Sequence, residues 1–83
     1  MTAFDIGKIA NKITGPASNQ LKQVARFSRV SGRKDITILN DDYAVLVKEV
    51  DATLKRLHLE PRPADASALK LNDVNIRPLQ NNG

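Results

Sequence analysis

"LKQVARFSRVSGRKDITILND", residues 21–41, is basic and helically spaced in its first half and turns apolar and β-branched in its second. Five cations, Lys22, Arg26, Arg29, Arg33 and Lys34, fall in it before the first acid, Asp35. Leu21, Val24, Ala25 and Ser28 share one face of a helix that starts near Ser18, a suitable N-cap. Lys22, Arg26, Arg29 and Arg33 recur at i, i+4, i+7 and i+11, which at about 100° per residue keeps them within roughly 60° of one another, away from the apolar arc. That ridge is straight only if the helix runs through Arg33, and Gly32 argues for an end just before it. "DITIL", residues 35–39, then decides the fold. Its β-branched residues predict an extended strand or linker, whereas a helix there would make the whole stretch a helix-turn-helix.

Outward from this stretch, the strongest pattern is "NDDYAVLVKEVDATLKRLHL", residues 40–59. Tyr43, Leu46, Val47, Val50, Leu54 and Leu57 form an unbroken helical stripe. Asn40 or Asp41 serves as the cap, Asp51 and Lys55 pair at i, i+4, and Lys55, Arg56 and His58 suit the last turn. Pro61 and Pro63 close the element, so a helix from about Asp41 to His58 is expected. A further helix is expected over Thr2–Thr14, where Ile6, Ile9, Ala10 and Ile13 fall at i, i+3, i+4, i+7 and Gly15-Pro16 ends the run. Residues 69–76, "LKLNDVNI", alternate weakly and offer a partner for "DITIL". The expected architecture is mainly α: one three-helix domain over residues 1–63 with a minor strand pair between 35–39 and 69–76, followed by an extended, partly mobile segment over 64–83, mobile above all in "RPLQNNG".

With 83 residues, one domain and a small core are the sensible reading. The chain has no Cys and one His, which removes disulfides, thiolate sites and His-rich metal sites. No apolar run approaches a membrane span or a signal-peptide core, and a cytoplasmic protein is expected. Residues 1–34 carry seven basic side chains against Asp5 alone, while residues 35–83 carry six against eight acids. That asymmetry points to a polyanion or acidic partner on the N-terminal half. The three aromatics, Phe4, Phe27 and Tyr43, are too few for a single-strand binder built on stacking platforms.

No catalytic constellation emerges, so an enzyme is not expected, nor a cofactor or metal. His58 reads as an exposed imidazole in a helix's last turn, and Asp41-Asp42 as a capping pair rather than a metal site. "RFSRVSGRK" places Ser28 and Ser31 each two residues after an arginine, a context basophilic kinases favour.

Residues 21–62 resemble the DNA-binding headpiece of the lactose-repressor family over about half the chain. "LKQVARFSRVS" is similar to its first helix and turn, with Leu21, Val24, Ala25, Ser28, Val30 and Ser31 matching in type and spacing. Ile38, Leu39 and Asn40 look like the end of its second helix. "VKEVDATLKRLHLEPR" looks like its third helix and closing proline, with Val50, Ala52, Leu57 and Pro61 in register. Arg29 stands where that turn normally has Gly, and Lys34 and Asp35 replace the small and apolar pair that packs a recognition helix. The resemblance implies a transcriptional regulator in which Arg33 and Thr37 face base edges in the major groove.

The leading expectation is therefore a non-enzymatic nucleic-acid-binding protein, duplex DNA favoured, with Lys22, Arg26, Arg29, Arg33 and Lys34 neutralising phosphates. The alternative is an assembly subunit whose third helix packs on a partner or a second copy while the basic ridge docks an acidic protein surface.

Overall fold

The chain alternates strand and helix twice and then closes with a hairpin. A computed structural model of the chain describes residues 2–79. Strand β1 (Thr2–Asp5) leads through a single 3-10 turn (Ala10–Lys12) to helix α1 (Pro16–Ser31). Strand β2 (Asp35–Ile38) runs straight into helix α2 (Asn40–Arg56), and strands β3 (Ala66–Leu71) and β4 (Val74–Pro78) follow. The four strands form one mixed sheet in the order β1-β3-β4-β2. β1 pairs parallel with β3, β3 antiparallel with β4, and β2 parallel with β4.

The expected mainly α, three-helix domain is thus corrected to two helices over a four-stranded sheet. "DITIL" is extended, as its β-branching predicts, and of the residues that the headpiece resemblance places at the end of a second helix, Ile38 ends β2, Leu39 caps α2 and Asn40 opens it. The minor strand pair becomes a full sheet: Asp35–Ile38 lie beside Asn75–Pro78, while residues 69–71 belong to β3, one strand further away. Residues 66–78, read as part of a C-terminal extension, supply the two central strands. Of the expected mobile "RPLQNNG", Arg77 and Pro78 are in β4 and residues 80–83 lie outside the described residues.

Residues 2–14 are not a helix, for local reasons. The Gly7 N–H donates to the Asp5 carboxylate at 2.8 Å, a side-chain bond that competes with helical pairing. Ile6 N–H is taken by the carbonyl of Lys70 at 2.8 Å, which extends the β1–β3 ladder. Gly7 also packs so closely on the β3–β4 turn that a Cβ there would lie 2.4 Å from the Asn72 side-chain oxygen. The predicted apolar stripe is nonetheless buried, with Ile6, Ile9 and Ile13 all in the core. A chain reversal with tight i→i+3 bonds buries them as effectively as a helix would.

Across the sheet, Phe4, Leu69, Ile76 and Ile36 stand side by side in register, one from each strand. Leu69 and Ile76 are fully buried, and Leu46, Val50 and Leu54 of α2 with Ala17, Leu21 and Val24 of α1 complete the same core. Both helices lie on this face. α2 follows the predicted helix closely but starts one residue earlier, with Leu39 rather than Asn40 or Asp41 at the N-cap. The chain leaving α2 is clamped back onto it by Arg62, whose guanidinium bonds the Asp51 carboxylate at 3.1 and 3.2 Å. The Tyr43 phenol, half-buried on the same helix, has its pKa raised by burial, an effect that Arg62 partly offsets.

Two outcomes test this arrangement. Leu69→Ala should cost about 2–5 kcal/mol in urea denaturation, a large part of the stability of so small a domain. Residues 66–71 lying outside the core would leave the midpoint unchanged. For Tyr43, the raised folded pKa means the neutral phenol is favoured on folding. Its contribution is therefore full below the unfolded value near ~10 and is lost as pH rises through the folded value. Phenolate absorbance should titrate above that of a free tyrosine, and Tyr43→Phe should flatten the alkaline loss of stability.

Candidate nucleic-acid interface

Helix α1 presents the predicted basic residues because of how it is anchored. Pro16 occupies the first turn, where its missing N–H costs nothing, so Gly15-Pro16 opens this helix and Gly15, not Ser18, is its N-cap. Ala17, Leu21, Val24 and Ser28 are buried at i, i+4, i+7, i+11. That stripe fixes the rotation of the helix and turns Lys22, Arg26 and Arg29 to solvent.

The straight ridge through Arg33 is corrected by the helix end. Gly32 takes a left-handed conformation (φ 76) and its N–H donates to the Ser28 carbonyl at 2.7 Å, so α1 stops at Ser31. Arg33 lies in the corner that follows, and that corner is pinned. The Ser28 hydroxyl donates to the Arg33 carbonyl, while the Arg33 N–H donates to the Ser31 hydroxyl at 3.2 Å. Ser31 in turn donates to the Phe27 carbonyl at 2.7 Å. Of the two serines in kinase-like contexts, Ser28 is only 3% exposed and already committed to this corner.

The six predicted contact residues therefore divide. Lys22, Arg26 and Arg29 share the outer part of α1, and Arg33 extends the group past its end. The Lys34 ammonium turns instead to Asp73 in the β3–β4 turn, 2.9 Å away, and its hydrogen bond holds the Asp73 carboxyl below the usual carboxylate range. Thr37 is on β2 and not on the helix. Ion pairs among the described residues use Lys34 with Asp73, Arg62 with Asp51, and Arg77 with Asp35. No acid lies within ion-pair distance of Lys22, Arg26, Arg29 or Arg33 among them, and α1 itself contains no acid.

The rest of the surface offers less chemistry. The uncovered side of the sheet carries Asp5, Lys70, Asn75 and Asp35 in one cross-strand row, with Arg77 beside Thr37 in the next. These side chains are polar and partly paired to one another, and none is an aromatic on which a base could stack. Among the described residues, no three His, Asp or Glu side chains converge as metal ligands. Asp41 and Asp42 sit in the first turn of α2, where they favour the positive end of the helix dipole. His58 is exposed, and its backbone is left-handed (φ 58). Leu59 N–H bonds the Leu54 carbonyl at 2.9 Å and His58 N–H the Lys55 carbonyl at 3.1 Å, the paired bonds that close a helix through a left-handed residue. Among the described residues, no helix is long and apolar enough to cross a membrane.

Sequence reasoning missed a groove between α1 and β2. Val24, Phe27 and Val30 line it from the helix, Ile36 and Ile38 from the strand, and it encloses about 600 Å³. Phe27 is 52% exposed and Val30 79%. The signal was present in "RFSRVS", where Phe27 and Val30 lie three apart but off the Leu21–Val24–Ser28 stripe. Comparison with protein-family models, with curated proteins and with solved structures finds no match to this chain.

His58→Gly tests the role assigned to that residue. Relief of a left-handed side chain at a helix end should raise stability by about 0.5–1 kcal/mol. Thermal denaturation of the variant measures it, and a loss of stability would show that the imidazole makes contacts of its own.

Proposed function

We propose that the chain is a non-enzymatic binding protein that takes the phosphate backbone of nucleic acid, duplex DNA favoured, on the outer face of α1. One observation carries the reading: Lys22, Arg26 and Arg29, on a helix without a single acid, and Arg33 just past its end are exposed cations with no acidic partner among the described residues. Charges left uncompensated in this way favour a polyanion and release its counterions on contact. The pinned corner at Ser28 fixes the Arg33 backbone just past the end of the helix. Phosphate contacts of this kind position a protein and read no sequence, so the reading needs no helix in the major groove. The proposal includes a cytoplasmic setting.

The test is a fluorescence titration with random duplex DNA at several salt concentrations. Four phosphate contacts give a log–log salt slope near about −3.6. Arg26→Ala with Arg29→Ala should reduce the slope by about two and weaken binding to all duplexes alike, with folding intact because both side chains are exposed. Absence of binding to duplex DNA or RNA at low salt sinks the reading.

A further inference from the structure

A second surface, beside the basic face, carries a different kind of recognition. β2 is an edge strand, with β4 on one side and, among the described residues, no strand on the other. The Lys34 carbonyl accepts from Asn75 N–H and the Ile38 carbonyl from Leu79 N–H, both at 2.8 Å. Backbone groups alternate in direction along a strand, so residues 34, 36 and 38 face β4 while Asp35 and Thr37 point their N–H and C=O groups to the open edge. These are the hydrogen-bonding positions that an added strand would use.

The groove runs along this edge. Gln20, Gln23, Phe27 and Val30 project from α1 at near-helical spacing on the side that meets β2, and Ile36 and Ile38 form the floor. A strand laid beside β2 would send alternate side chains into this apolar slot and the others over the uncovered side of the sheet. Leu39, 62% exposed at the end of β2, extends the apolar surface. Charge narrows the occupant. Arg26 lines the groove and Arg33 precedes the strand, neither with an acidic partner among the described residues, and no acid lines the groove. Asp35, the acid nearest the edge, is held by Arg77 at 3.0 Å. Two copies joined through β2 would bring two sets of Arg26 and Arg33 to one seam, which disfavours self-pairing. We propose that β2 and the α1 groove dock an extended peptide strand of a partner protein, with apolar side chains at alternate positions and carboxylates flanking them.

The proposal goes beyond the polyanion reading and uses a different set of residues, Arg26 and Arg33 excepted. The experiment selects peptides from a random phage-displayed library on the intact protein, with the Val30→Asp variant as counter-selection, since Val30 is 79% exposed and its replacement spares the core. Enriched sequences should alternate apolar residues and carry Asp or Glu. A synthetic copy of the best one should bind Val30→Asp and Phe27→Asp more weakly by about tenfold. Amide shifts should concentrate on Asp35 and Thr37. N-methylation of the peptide at alternate residues should abolish binding in one parity and spare it in the other, because only one parity donates to the edge. Lys22→Ala with Arg29→Ala should weaken duplex DNA binding and leave the peptide bound. No enrichment over Val30→Asp, shifts mapped elsewhere, or equal tolerance of both methylation parities would overturn the proposal. So would a dimer in solution that Val30→Asp dissociates, which would assign the groove to a second copy.

Discussion

Everything in this fold depends on the β3–β4 hairpin. Neither β1 nor β2 touches the other; each pairs only with one strand of that hairpin, from opposite sides. The hairpin closes through the two residues Asn72 and Asp73, with Asn72 in the left-handed conformation (φ 58) that such a tight connection requires. Leu69 and Ile76 face each other across it at the centre of the core. The N-terminal half of the chain therefore has no sheet to join until its last strands exist. Such pairing between distant segments carries a loop-closure cost that local helical contacts do not, so stability rests on burial along the Phe4–Leu69–Ile76–Ile36 row.

The strand order has a consequence for where function can reside. Exchanging β1 with β2 and β3 with β4 leaves the order unchanged, so the chain is a pair of strand–helix units placed around the hairpin. Both helices cover one face and leave the other bare, and the bare face carries mostly polar side chains, of which Asp35 and Arg77 are paired. What remains available for a partner is the outside of the helices and the two edges. α2 spends its apolar stripe on the core, where Leu46, Val50 and Leu54 are buried. That leaves α1, whose single buried stripe frees both its flanks: one basic, the other lining the groove with β2.

The helices and β2 were readable from the sequence because each carries a local signal, although "DITIL" also left room for a linker or a recognition helix. α2 has a stripe of four turns, α1 has a stripe ended by Gly32, although its start was placed at Ser18 because Gly15-Pro16 was read as the end of an earlier helix, and "DITIL" has three β-branched or strand-favouring residues in succession. Residues 2–14 misled because Ile6, Ile9 and Ile13 have helical spacing, and spacing reports burial rather than backbone. The contacts that decide the backbone there, Ile6 to Lys70 and Gly7 against Asn72, join residues more than sixty positions apart. At the other end, "LKLNDVNI" was read as one weak strand. Its apolar residues change parity between Leu71 and Val74, the mark of a two-residue turn, and Asn-Asp is a suitable pair for one. Of the candidate site, Lys22, Arg26 and Arg29 followed from periodicity. The engagement of Lys34 by Asp73 did not, because that pairing exists only once the hairpin is in place.

The charges around β2 belong to the same logic. A bare edge strand bordered by apolar side chains invites indiscriminate pairing, and folded proteins protect such edges with short strands and flanking charge. β2 has four residues and is preceded by Arg33 and Lys34, with Asp35 opening the strand. Two of these three charges are neutralised by partners across the sheet, Lys34 by Asp73 and Asp35 by Arg77, so they stabilise the register without deciding what approaches. Arg33, which precedes the strand, and Arg26, which lines the groove, have no acidic partner among the described residues and are the charges that would do that. A strand without carboxylates would leave these guanidinium groups unpaired beside it, whereas one with them would gain charge-assisted contacts. On this proposal the cations that would repel a second copy from the edge are the ones that would admit an acidic strand. On these two proposals α1 would offer a phosphate-binding face on one flank and line the peptide groove with the other, because its core stripe is narrow enough to leave two flanks exposed.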